Sequence, residues 1–161
     1  MKTPKLHHEL KKKRPFESPE EEAILNVVRT SDQLQIRLAR LLRAYGLTSP
    51  TQYNILRILR GEGKPLPILE IASRTITVVP GITGLIDRLE RAGLVHRLRC
   101  EKDRRVIFVA LTDQGTKTLA DLHEPLLALH HKLTGHMSQG DLKDLIRQLE
   151  KLRAPWTELD G

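Results

Sequence analysis

The segment from Leu66 to Thr112 constrains the fold of this chain most, because several short structural patterns follow one another there without a linker. Residues 66–72 are typical of one or two turns of amphipathic helix, and Pro67 suits a first helical position. A break rich in β-branched and polar residues follows at 74–78. The pattern therefore predicts a short helix that ends in a turn.

A second helix and a hairpin follow this turn. Pro80 is predicted to open the helix and Gly93 to end it. The apolar residues between them recur at helical spacing and are Ile82, Leu85, Ile86 and Leu89. Strands are predicted at 95–98 and 106–111, with a charged tip at 99–105. Two helices followed by a basic hairpin indicate a winged helix-turn-helix, and hence a protein that binds DNA.

The start of the second helix carries small side chains opposite its apolar stripe. Gly81, Thr83 and Gly84 lie where an ordinary exposed helix would carry long charged side chains. Small residues allow a helix to enter the major groove until its first turns reach base edges and its amides reach phosphate. The alternative is that the glycines only weaken a surface helix, at about 1 kcal/mol each relative to alanine. We interpret the segment as a recognition helix.

The same residues resemble the multiple antibiotic resistance regulator (MarR) family. The resemblance rests on the run Pro80–Val95, on the Asp-x-Arg pattern of the charged tip, and on a strand ending in Leu-Thr before Gly115. The number and order of the other helices also agree, so the resemblance covers roughly residues 18–153. It implies that Arg105 reaches into the minor groove and that Asp103 holds the wing by pairing with an arginine.

The predicted DNA contacts lie in the turn, on the recognition helix and in the wing. They are Arg74, Thr75, Thr77, Pro80, Gly81, Thr83, Gly84, Arg88, Arg99, Lys102, Asp103, Arg104 and Arg105. The formal net charge of +7 favours a polyanionic partner, here double-stranded DNA, and much of the excess lies in the wing and at 11–14. A solvated charged hairpin is the alternative reading of the wing.

Further helices flank this core on both sides. Their predicted capping residues are Ser18, Ser49, Thr112 and Ser138. A Ser-x-x-Glu capping box is expected at Ser18, and the same logic at Ser49. Apolar residues repeat at helical spacing along the long first helix and along the last one. These apolar faces exceed what a DNA-binding core needs, so we expect them to be buried in a homodimer rather than to thicken a monomer.

The sequence thus predicts a mostly α fold with a small β wing. The expected parts are a basic flexible tail at 1–17, an N-terminal dimerisation helix at 18–46, a winged helix-turn-helix DNA-binding domain at 47–112, C-terminal dimerisation helices at 113–153 and a tail at 154–161. The resemblance implies a two-fold dimer on a palindromic site, with recognition helices roughly 34 Å apart.

The resemblance also implies a small effector, often a phenol or an aromatic acid, between the dimer helices and the DNA-binding core. Candidate ligand-binding residues are Leu41, Tyr45, Tyr53 and His123, although the tyrosines suit the core equally well. A zinc sensor using the histidines and an oxidation sensor using Cys100 are alternatives within the same fold. The histidines offer no His-x-x-x-His pair, so no metal site is expected.

We therefore expect a dimeric transcriptional regulator, a repressor, that leaves its operator when a small molecule binds. An architectural DNA-binding protein is the alternative from another class, and it would coat DNA instead of protecting a defined palindrome. The sequence carries no Gly-rich phosphate loop and no His-Glu-x-x-His motif, so no enzyme and no cofactor are expected. The single cysteine and the absence of a long apolar run predict a cytoplasmic protein without a membrane span.

Overall fold

The computed structural model describes residues 5–77, 81–99 and 105–156. Contacts divide the chain into two compact units, Met1–Leu119 and Ala120–Gly161. The described elements, in chain order, are α1 (Leu6–Glu9), α2 (Pro19–Arg43), α3 (Pro50–Glu62), β1 (Leu66–Pro67), α4 (Ile68–Ser73), α5 (Ile82–Arg91), β2 (Val95–Arg99), β3 (Ile107–Leu111), α6 (Asp113–Thr134) and α7 (Gln139–Arg153).

The strands form a small antiparallel sheet in the order β1-β3-β2. In the hairpin, Val95 pairs with Leu111 and Arg99 pairs with Ile107. The predicted hairpin and the predicted mostly helical fold with a small β wing are therefore confirmed.

The third strand, β1, was not predicted. Leu66 and Pro67 pair with Val109 and Phe108 of β3, and Pro67 is the N-cap of α4 instead of its first helical residue. The helix predicted from Leu66 consequently begins two residues later, at Ile68. The reason is that the partner strand lies far along the chain, and a local apolar pattern carries no information about such pairing.

The core of the first unit is aliphatic. Its most completely buried side chains are Leu42, Leu47, Ile55, Leu56, Ile71, Ile86, Leu89, Val95, Val109 and Leu119. The predicted inner face of α5 is confirmed, because Ile82, Ile86 and Leu89 are buried and Leu85 is half-buried. The core contacts of α5 therefore come from one side of the helix.

The capping residues predicted for α2 and α3 are confirmed, but the reciprocal half of the capping box is not. The Ser18 hydroxyl accepts from the Glu21 amide at 3.2 Å, and Ser49 caps α3 in the same way. The Glu21 carboxylate, however, accepts from the Glu17 amide at 2.7 Å, one residue before the expected partner. This bond to the Glu17 amide holds the pKa of the Glu21 carboxyl below its ordinary value.

The described part of the segment before α2, which we expected to be a flexible tail, contains α1. The Leu6 side chain there is only 4% exposed. Glu9 pairs with Arg29 at 3.4 Å, and Lys12 pairs with Glu21 at 3.3 Å. One apolar anchor and two ion pairs therefore tie the segment to the rest of the unit. These contacts do not depend on apolar periodicity, which the sequence of this segment lacks.

The start of α6 packs against the turn that follows α5. Thr112 caps α6 as predicted, because its Oγ1 accepts from the Gly115 amide at 3.0 Å. The same hydroxyl donates to the Gly93 carbonyl at 2.6 Å, and the Thr112 amide donates to the Leu94 carbonyl at 3.2 Å. A Cβ atom at Gly115 would lie 2.1 Å from the Leu94 carbonyl oxygen. The backbone of α6 therefore lies so close to the Leu94 backbone that position 115 must be glycine.

The second unit contains the rest of α6 and all of α7. A reciprocal capping box starts α7: Ser138 Oγ accepts from the Asp141 amide at 3.1 Å, and the Asp141 carboxylate accepts from the Ser138 amide at 3.0 Å. No residue of α7 is buried. The large apolar side chains of this unit that are exposed by 43 to 56% are Leu127, Leu145, Ile146 and Trp156. The single chain thus leaves apolar helix surface uncovered.

The contact at Gly115 yields a stability prediction. Gly115→Ala should destabilise the protein by about 3 kcal/mol, because the Leu94 backbone cannot give way as a flexible side chain would. Gly61→Ala is the matched control, since a Cβ there meets nothing within 4 Å and the residue lies inside α3. This control should gain about 0.5–1 kcal/mol. Urea unfolding measures both, and equal stability of the two variants would contradict the packing argument.

Candidate nucleic-acid interface

Gly81 forms the N-cap of the recognition helix and lies outside the helix proper. Its φ of +76° is in the left-handed region that side chains disfavour. The helix begins at Ile82, whereas the predicted start at Pro80 lies outside the described residues. The expectation that Gly81 sits within the helix is therefore wrong, and its glycine is explained by the sharp entry into α5.

The side of α5 opposite its core stripe carries residues that are exposed or half-buried among the described part of the chain. Thr83 and Arg88 are exposed, and Gly84 is half-buried. A Cβ atom built on Gly84 would find only the Arg88 side chain, at 4.0 Å. Arg88 Nε in turn donates to the Gly84 carbonyl at 3.0 Å. No close contact therefore requires a glycine at position 84. Without a side chain there, this side of α5 projects less far from the helix axis.

The N-cap of α5 differs from those of the longer helices. Gly81 offers no side chain that could cap α5, whereas a serine caps each of α2, α3 and α7. The Gly84 amide donates to the Gly81 carbonyl at 3.0 Å. Uncapped amides carry the positive end of the helix dipole, so this helix start is suited to an anion such as phosphate.

Two predicted contact residues of the turn have polar partners within the protein. The Arg74 guanidinium pairs with Glu62 and with Glu70, each at 2.7 Å. The hydrogen bond from Arg74 lowers the pKa of the Glu62 carboxyl, and the bonds to both carboxylates raise the pKa of Arg74. The Thr75 hydroxyl lies 2.8 Å from the Thr77 carbonyl oxygen. These polar groups define the shape of the turn in the free protein.

The wing is described at both of its ends. Arg99 is exposed at the end of β2, and Arg105 is exposed before β3. Four predicted site residues lie outside the described part of the chain, namely Pro80, Lys102, Asp103 and Arg104. The expected pairing of Asp103 with an arginine is therefore untested.

Arg97 joins the wing to the recognition helix, a role that the sequence analysis missed. Its Nη2 donates to Asp87 Oδ1 at 2.6 Å, and its Nη1 donates to the Glu90 carboxylate. Its backbone amide also donates to Glu90, at 3.0 Å. A signal was present in the sequence, because residues two apart in a strand share a face, and the apolar Val95 suggests that this face is turned inward.

The candidate ligand residues fall in both units. Leu41, Tyr45 and Tyr53 are half-buried in the first unit, and His123 is exposed in the second. Within the described ranges, no three His, Cys, Asp or Glu side chains are grouped as a metal site. The alternative thiol sensor, Cys100, lies outside those ranges. No helix among the described residues has both the length and the apolar character needed to cross a membrane.

A cleft of about 560 Å³ opens between the N-terminal segment and the start of α2. Its lining includes the basic side chains of Lys5, His7, Lys12, Lys13 and Arg14. Lys12 Nζ stands 4.6 Å from the centre of the Phe16 ring, which also lines the cleft. Sequence reasoning did not identify this feature, because the segment was expected to lack order.

This chain is similar to known proteins in both sequence and fold. The family model for the MarR family matches residues 48–107. A crystal structure of a MarR transcription factor from Planctomyces limnophilus has 42% sequence identity and a TM-score of 0.66, and the match covers 84% of this chain and 98% of that one. The HTH-type transcriptional regulator FarR of Neisseria gonorrhoeae is 27% identical over 141 residues, which are 86% of this chain and 95% of FarR.

A further relative is the homoprotocatechuate degradative operon repressor of Escherichia coli, 26% identical over 114 residues, which are 71% of this chain and 76% of the repressor. All three relatives are described as regulators, repressors or transcription factors, and the match covers nearly the whole length of the solved one. With its winged helix-turn-helix and the 42% identity to a solved relative, this chain belongs to the MarR family of DNA-binding transcriptional regulators.

Proposed function

We propose that this protein is a homodimeric repressor that binds a palindromic operator and is released by a small aromatic ligand. The observation that carries the proposal is the start of α5, where the small residues Thr83 and Gly84 lie on the side away from the buried stripe and glycine is the N-cap. The name of the Escherichia coli relative supports the repressor role. In this proposal the protein acts by binding, without catalysis.

The recognition helix would enter the major groove with Thr83 and Gly84 next to base edges. The first amides of α5 would hold a phosphate, and Arg88 would extend from the same side of the helix. Arg99 and Arg105 are exposed at the two ends of the wing, which supports a role in backbone or minor-groove contact. Lys102, Asp103 and Arg104 complete the proposed wing contacts.

Exposed apolar side chains support the proposed dimer. On α2, Ile24, Val28, Leu34 and Ile36 are exposed by 44 to 58%. The second unit exposes Leu145 and Ile146 to a similar extent. Apolar patches on helices beyond the DNA-binding core favour association with a second copy of the chain. A two-fold pair of recognition helices requires two inverted half-sites, so the operator should be palindromic.

The proposed effector is a phenol or an aromatic acid. NadR, a structural neighbour with a TM-score of 0.65 and 24% identity, has been crystallised with 4-hydroxyphenylacetate. In this chain Tyr45 and Tyr53 are half-buried, so each combines an apolar ring with a hydroxyl that a phenol can bond. Leu41, in the same unit as the two tyrosines, is a further proposed ligand contact.

Gly84→Glu tests the DNA-facing role of α5. The added carboxylate would approach phosphate and the added bulk would lift the helix from the groove, so operator binding should be lost. Gly84→Ala is the control, because its Cβ meets only the end of Arg88 and should leave binding close to wild type. Both variants should unfold near the wild-type temperature. A large loss of stability in Gly84→Ala would show that Gly84 is a packing residue.

Ile146→Glu tests the dimer. Ile146 is 56% exposed in the single chain, so the substitution should leave the chain folded. If this side chain is buried in a dimer, the introduced charge is desolvated and sedimentation should show a shift toward monomer. Gln148→Glu adds the same charge at another exposed position of α7 and should stay dimeric. An Ile146→Glu variant that is as dimeric as the control would exclude this part of α7 from the interface.

A further inference from the structure

We infer that Arg97 is a positioning residue for DNA binding, which fixes the wing to the recognition helix so that both meet the DNA as one unit. The inference rests on the function proposed above. It concerns a residue of β2 that lies outside the predicted set of DNA contacts.

Arg97 reaches three positions along one face of α5. Its Nη2 donates to Asp87 at 2.6 Å and lies 3.5 Å from the Thr83 carbonyl oxygen, and its Nη1 donates to Glu90. Positions 83, 87 and 90 follow the spacing of one helix face. Arg97 of β2 thus contacts two turns of the helix that is proposed to bind in the major groove.

The connection involves both the backbone and the side chain of Arg97. The backbone amide donates to Glu90 Oε1 at 3.0 Å, while the guanidinium holds the second oxygen of that carboxylate and the Asp87 carboxylate. The planar guanidinium fork suits such paired bonds better than a lysine ammonium does. The Arg97 side chain is only 21% exposed. The angle between wing strand and helix is therefore restrained at two points.

The opposite charges of Arg97 and its carboxylate partners allow a test, because removing them should change DNA affinity in different directions if only charge matters. Asp87 and Glu90 carry negative charge on the helix proposed to approach phosphate, and Arg97 offsets part of it. If Arg97 acted only as a cation, losing Arg97 should weaken DNA binding, and losing Glu90 should strengthen it. If Arg97 acts by positioning, losing either partner should weaken operator binding.

The experiment compares Arg97→Met and Glu90→Ala with the wild-type full chain. Arg97→Met keeps the aliphatic stem and removes the hydrogen-bond donors, whereas Glu90→Ala removes the shared carboxylate. Affinity is measured for a selected operator duplex and for an unrelated duplex, over a range of salt concentrations. We expect both variants to lose about tenfold in operator affinity, as for one misplaced specific contact. On the unrelated duplex, Glu90→Ala should bind as tightly as wild type or more tightly.

Two further measurements separate the outcomes. Arg60→Met removes one charge from an exposed position on α3 and should keep the ratio of operator to unrelated affinity. Hydroxyl-radical footprints of Glu90→Ala should lose protection where the wing lies and keep it at the recognition helix. Operator binding by Glu90→Ala at or above the wild-type level would overturn the inference. A wild-type protein that shows no operator preference would instead overturn the proposed function.

If Arg97→Met does not fold, the same affinity measurements are made with Glu90→Ala and Arg97→Lys. Lysine keeps the charge but cannot pair with two carboxylates through a planar fork, so Arg97→Lys should also lose operator preference. Wild-type preference in Arg97→Lys would show that charge alone is sufficient.

Discussion

The carbonyl groups of Gly93 and Leu94 accept hydrogen bonds from Thr112, and this junction joins the recognition helix, the wing and the start of α6. The Leu94 amide also donates back to the Leu89 carbonyl at 3.0 Å, so the same turn ends α5. Gly115 allows α6 to approach the turn more closely than any side chain would permit. The junction lies at the C-terminal end of α5, away from the helix start that is proposed to meet DNA.

For two arginines of this unit, Arg74 and Arg97, the structure gives ion pairs within the protein. These ion pairs shape the helix-turn-helix and fix the wing strand. Arg88, Arg99 and Arg105 are exposed on the recognition helix and the wing. The net charge of +7 includes both kinds, so it indicates a polyanionic partner without identifying the residues that would contact it. We expect a substitution of Arg97 to change geometry and a substitution of Arg99 to change affinity through phosphate contacts.

Local patterns predicted what is local in this fold. The apolar stripe of α5, the strands of the wing and the serine caps depend on residues near one another in sequence. The pairing of β1 with β3 and the grip of Arg97 on Asp87 bring together elements that the pattern of either one alone does not connect. Gly81 shows how far a sequence pattern can be taken. A glycine there suggested an unusual backbone conformation, but the sequence did not distinguish an N-cap from a residue inside the helix.

Selection of DNA sites from a random duplex pool, followed by sedimentation of the selected complex, tests the central claim most directly. The account predicts one enriched palindromic motif, with half-site centres about one helical turn apart and two chains on each duplex. A pool without an enriched motif, or chains that accumulate along the duplex in proportion to its length, would contradict the account and favour an architectural DNA-binding protein.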